Sequence, residues 1–172
     1  MKLLVFLILL LNNICFSQQY KYYEIIKNEI ENNCNFIKKE FDLQNKCKIQ
    51  MSAVIISINT TPFHKILDSL SLLPGLEKEN SFTKANLFDL NNYKPNHNNF
   101  FLKKLNGNKP EKPNIRLYCS DKIHNLVTCE AVEINENDEN NELMFGKSIL
   151  YLFVLDKSNK IKWYRTTIID KN

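Results

Sequence analysis

The segment IRLYCSDKIHNLVTCEAV, residues 115–132, restricts the fold of this chain more than any other stretch. Apolar and polar residues alternate on both sides of a turn centred on His124. Setting Cys119 opposite Cys129 also sets Leu117 opposite Ala131. Ile115, Leu117, Cys119, Val127, Cys129 and Ala131 then share one face, and Arg116, Tyr118, Ser120, Thr128 and Glu130 share the other. One register satisfies both the alternation and the cysteines, and a slip of one residue would turn every side chain over. Directly opposed residues of an antiparallel pair bring their Cβ atoms to about 4.5–5.5 Å. A disulfide asks for about 3.5–4.5 Å, which a modest local adjustment supplies. The segment predicts a stapled β-hairpin.

The same residues allow a catalytic reading, in which Cys119 is a nucleophile, His124 its base and Asp121 the orienting group. Such a site needs a free thiolate with a base in reach. Here all three groups lie on one short turn and no family signature surrounds them, so the staple is preferred.

The N-terminus bears on the same choice. Lys2 precedes an unbroken apolar run from Leu3 to Leu11, Asn12 and Asn13 end it, and Ser17 is a small residue suited to cleavage. This is the order of a secretory signal peptide, and the run is far shorter than the ~20 residues of a spanning helix. Residues 1–17 are read as a cleaved signal and residues 18–172 as a single globular domain of about 155 residues. Lipidation at Cys15 is disfavoured because Asn12, Asn13 and Ile14 are not the small residues expected before such a cysteine. The expected location is exported: periplasmic, cell-surface or secreted. Cys34, Cys47, Cys119 and Cys129 remain, an even count that suits disulfides in an oxidising compartment. Of the three possible pairings, Cys34–Cys47 with Cys119–Cys129 is favoured because both pairs are local.

Elsewhere, hydrophobic periodicity gives a coarse map. Tyr22, Ile26, Ile30, Cys34, Ile37 and Phe41 recur at helical spacing and predict a helix over Tyr20 to Leu43. Lys46 to Ile58 alternates as a strand, with Ala53 to Ile56 apolar on both faces and expected deep in a sheet. Thr61-Pro62 opens a second helix with the stripe Phe63, Ile66, Leu67, Leu70 and Leu73, stopped by Pro74-Gly75. Leu76 to Asn114 reads as a long irregular loop. Ser148 to Asp156 and Lys160 to Asp170 form a second hairpin around Lys157-Ser158-Asn159. The expected fold class is α+β: an antiparallel β-meander of about five strands packed against two helices from the N-terminal half, with the long loop in the middle.

Composition narrows the chemistry. The net charge of +4 falls to +3 if Lys2 leaves with the signal, and Arg116 and Arg165 are the only arginines. Few guanidinium forks mean few phosphate clamps, so no nucleic-acid partner is expected. The three glycines, Gly75, Gly107 and Gly146, are too scattered to cradle a phosphate, and no cofactor is expected. Asparagine and lysine are abundant, which is read as base composition of the gene and not as function.

The remaining candidates each have a plain structural alternative. His64 and Asp68 stand one helical turn apart and read as an exposed pair. Glu133, Glu136, Asp138, Glu139 and Glu142 lack the spacing and glycine of a calcium loop and read as a solvated hairpin tip, so no metal is expected. Asn59-Thr60-Thr61 fits the N-glycosylation pattern. Trp163, Tyr164 and Arg165 sit on the expected last strand, and these residue types are enriched at interface hot spots. The plain alternative, which is preferred, has Trp163 in the core and Tyr164 and Arg165 as ordinary surface, but the three remain the best single place for an interface. The overall expectation is a small exported protein, leaning away from enzyme, that binds an unknown protein or small ligand. The alternatives are a secreted hydrolase using a Cys/His site and a structural envelope or surface protein.

Overall fold

The computed structural model describes residues 21–63, 98–107, 112–123, 125–134 and 146–171. The expected signal peptide, most of the expected second helix and most of the long loop lie outside the described residues.

The first helical segment is broken in two, α1 (Lys21–Asn32) and α2 (Asn35–Glu40). Tyr22, Tyr23, Ile26 and Ile30 form the buried stripe of α1, and Ile37 continues it on α2. The break falls at Asn33-Cys34, where the Asn33 side-chain amide donates to Glu29 O at 3.2 Å. Asparagine competes with helix continuation through such bonds. The chain leaves α2 through Asp42, which adopts a left-handed φ of 52°. Leu43 N donates back to Lys38 O at 2.9 Å, the 6→1 bond that closes a helix C-terminus when the residue before it turns left-handed.

Five strands follow: β1 (Ile49–Ile56), β2 (Ile115–Ser120), β3 (Leu126–Glu133), β4 (Gly146–Leu155) and β5 (Ile161–Lys171). They lie side by side in chain order in one sheet. A short 3₁₀ turn (Thr61–Phe63) follows β1, and a five-residue helix, α3 (Phe100–Lys104), precedes β2. The described residues are therefore mostly sheet, with few helices.

The expected all-antiparallel meander needs correction. Strands β2 to β5 pair antiparallel in sequence, but β1 pairs parallel to β2, with Ile49 beside Ile115 and Met51 beside Leu117. Parallel neighbours require a crossover connection, and the long segment between Ile56 and Ile115 provides the length for one. The sheet is mixed. The placement of β1 deep in the sheet also fails, because β1 is an edge strand and Val54 is 45% exposed. Of the expected second helix only the first turn, Thr61–Phe63, is described.

The β2–β3 hairpin has Leu117 opposite Ala131 and Cys119 opposite Cys129. The β4–β5 hairpin turns through Asp156, whose carboxylate accepts the backbone N–H groups of Ser158 and Lys160, both at 2.8 Å. Asn159 takes a left-handed φ of 61° there, a conformation asparagine tolerates.

The sheet has two apolar faces. On one, Met51, Leu117, Cys129, Tyr151 and Phe153 meet the stripe of α1 and α2. On the other, Leu126, Leu150, Leu152 and Val154 meet Ile58 and Phe63 from the chain that follows β1. This second layer explains why β4 is buried on both faces from Ser148 to Leu155. Burying each large side chain contributes about 1.5–3 kcal/mol, so the doubly covered β4 anchors the domain.

Candidate binding interface

Backbone hydrogen bonding treats the two edges of the sheet differently. At β1, the Asn106 side chain replaces a missing strand. Its Oδ1 accepts from Met51 N at 2.7 Å and its Nδ2 donates to Met51 O at 3.1 Å. Asn99 N donates to Ala53 O at 2.7 Å, and Val54 forms an isolated antiparallel bridge with Asn98. On the inner side, Asn114, just before β2, accepts at Oδ1 from the N–H of Lys48, just before β1, at 2.8 Å. The Asn106 side chain and the main chain at Asn98 and Asn99 thus close this edge.

No such cover appears at β5 among the described residues. β5 is the longest described strand, at 11 residues, and among the described residues it pairs only with β4. A bulge interrupts the register at Lys162, between the Leu155–Ile161 and Val154–Trp163 pairs. Bulges and charges are the usual protections of an open edge. Here the bulge and Lys162 sit at one end and Asp170 and Lys171 at the other, with Arg165 the one charge between them. Thr166 to Ile169 carries no charge, and Ile168 is 38% exposed.

Trp163, Tyr164 and Arg165 all lie on this edge strand but do not form one patch. Trp163 pairs with Val154 and packs, half-buried, against the cluster of Phe63, Leu126 and Leu152. The Arg165 guanidinium lies over its ring, 5.8 Å from the centroid. Tyr164 points to the opposite face, its ring 5.4 Å from that of Phe153. There it lines a cleft of about 150 Å³ with Ile30, Asn33, Phe36, Tyr151 and Thr166. Burial first, and the neighbouring Tyr164 second, push the Tyr151 hydroxyl pKa well above its usual range.

The cysteine candidates fall into two pairs. Cys34 stands at disulfide-bonding distance from Cys47, and Cys119 from Cys129, with Cα separations of 6.2 and 4.1 Å. Cys119 and Cys129 are completely buried. A buried sulfur bonded to another cysteine offers no thiolate. Next to it, Ser120 Oγ accepts from Thr128 N at 3.0 Å and Tyr23 donates its hydroxyl to Ser120 O at 2.9 Å, which fixes α1 to the hairpin.

Other candidates are placed only in part. His64, Asp68 and His124 lie outside the described residues, as do Glu136, Asp138, Glu139 and Glu142. Glu133 ends β3 opposite Ile115. Among the described residues no group of three or more His, Cys, Asp or Glu side chains is placed to hold a metal ion. Asn59 is half-buried, with its Oδ1 accepting from Thr61 N at 3.3 Å and its own N–H donating to Thr128 Oγ1 at 3.1 Å.

Two larger hollows complete the surface. One, about 660 Å³, is an open cleft lined by Lys27, Glu31, Lys38, Lys46, Lys48 and the Cys34–Cys47 pair. The other, about 310 Å³, is lined by Ile58, Thr61, Glu130 and Leu150. Glu130 there is paired with Lys171. Among the described residues no helix is long and apolar enough to cross a membrane.

Comparison of the chain with protein families, with curated proteins and with solved structures finds no match.

Proposed function

We propose that this chain is an exported, non-catalytic binding module that engages its partner along β5. The observation that carries the reading is the contrast between a β1 edge closed by asparagines and a long β5 edge without cover among the described residues. An open strand edge supplies main-chain hydrogen bonds to an added strand, and alternate side-chain pockets supply selectivity. Trp163 with Arg165 marks one face of that edge, and the Tyr164 cleft marks the other. The two cysteine pairs suit an oxidising compartment, which supports export.

The test is partner capture by the purified chain compared with its Trp163→Ala and Arg165→Ala variants. Retention of the fold is checked by circular dichroism. Capture that falls at least about tenfold in the variants supports the reading, since interface hot spots carry such effects. Capture indifferent to both substitutions removes β5 from the function. The hydrolase alternative is tested separately, by alkylating the unreduced protein near neutral pH. Ready labelling of Cys119 would revive it, and no labelling would end it.

A further inference from the structure

We infer that the strand added to β5 is β5 of a second copy of this chain, antiparallel and centred on Thr166, which joins two five-stranded sheets into one. The inference rests on the binding-module reading and names the partner of that same edge.

Self-pairing is restricted by parity. Opposed residues in an antiparallel pair share a face, so the two-fold axis must pass through a residue and not between two. Each choice of central residue then sets its own cross-strand pairs. Centring on Arg165 opposes Arg165 with its own copy. Centring on Ile168 opposes Arg165 with Lys171. Both set like charges against each other, which is destabilising. Centring on Tyr164 draws the bulge at Lys162 into the middle of the pairing. Centring on Thr167 sets Tyr164 against Asp170 and leaves Lys162 without an acidic neighbour.

Centring on Thr166 avoids these conflicts. Tyr164 then faces Ile168 of the second copy, Trp163 faces Ile169, and Arg165 faces Thr167. Aromatic and β-branched side chains are favourable cross-strand partners. At both ends, Lys162 lies beside Asp170 of the second copy. Both residues are exposed, and neither forms an ion pair among the described residues. Tyr164 would cover Ile168, the most exposed large apolar side chain of the strand. The cleft between α1, α2 and β5, with Phe36 at 36% exposure, borders the same seam. The protections that guard β5 against other strands thus become complementary in this one pairing.

A single strand pair is a small interface, so the dimer is expected to be concentration-dependent. Sedimentation equilibrium of the purified chain from about 1 µM to about 1 mM brackets the relevant affinities. The unaltered chain, Lys162→Asp, Asp170→Lys and the double swap are compared. The expected result is a reversible dimer, weakened about tenfold by either single reversal and returned to near its original strength by the double swap. A monomer at every concentration overturns the inference. So does a dimer indifferent to the single reversals, or one the double swap fails to rescue. A monomer that still captures a different protein through Trp163 would sink self-pairing and leave the binding-module reading standing. A rescued dimer that captures nothing else would confine binding to the second copy.

Discussion

The two edges of this sheet belong to strands of similar apolar character but opposite circumstance. β1 is flanked by residues 98–107, and Asn106 saturates the outward N–H and C=O of Met51. β5 is longer, runs along the far side, and has no pairing segment among the described residues. Exposed strand edges are templates for association, and proteins normally blunt them. One edge here is covered by the chain's own side chains. The other carries a bulge and charges at its ends and Arg165 between them, and is uncharged only from Thr166 to Ile169. It is at β5, and not at the cysteines, that the structure leaves backbone groups for another strand.

Breaking the closed edge should have the largest effect. Asn106→Ala strands the N–H and C=O of Met51, whose side chain is only 1% exposed. Leaving partly buried backbone groups without partners costs about 1–3 kcal/mol. Urea denaturation should show that loss, together with new aggregation as the β1 edge opens. A loss under about 0.5 kcal/mol, the range of ordinary surface changes, would mean that water replaces Asn106 easily and that the edges differ less than argued.

An alkaline titration addresses the core beside β5. Burial holds the Tyr151 hydroxyl protonated in the folded protein, whereas the unfolded chain ionises near pH 10. Above about pH 10 the unfolded chain binds fewer protons than the folded one, so stability falls as pH rises. Below about pH 10 the group is protonated in both states and contributes no pH dependence. Denaturation between pH 8 and pH 11 should show the decline, and Tyr151→Phe should reduce it. An equal decline in the variant would assign it to other groups.

The smallest effect on stability is expected at the open edge. Ile168→Lys changes an exposed side chain and should move stability by no more than about 0.5 kcal/mol. It should nonetheless abolish association, because it adds a charge to the uncharged stretch of β5. A large loss of stability would show that Ile168 is integral to the fold and not to the edge.

What could be read in the sequence follows from where the information sits. The β2–β3 register was legible because alternation and two cysteines demanded the same pairing. The β4–β5 hairpin was legible because SILYLFVL is apolar on both faces and Asp156 to Asn159 carries turn chemistry. The direction of β1 was not legible, since alternation is the same for parallel and antiparallel strands and a long connection permits either. Nor were the asparagine contacts. Asn106 meets Met51 across a sequence separation of 55, and no local pattern announces a side chain standing in for a strand. Trp163, Tyr164 and Arg165 are alike in being interface residue types, but the period of two of a strand sends Tyr164 to the other face.

Backbone amide hydrogen exchange at two protein concentrations tests the central contrast most directly. The amides of β1 should be protected to the same degree in dilute and concentrated solution, since its edge is closed within the chain. Every second amide of β5 between Trp163 and Ile169 points away from β4, and these outward amides should exchange fast when dilute and become protected as concentration rises. Equal, concentration-independent protection of both strands would contradict the account, because β5 would then be closed already.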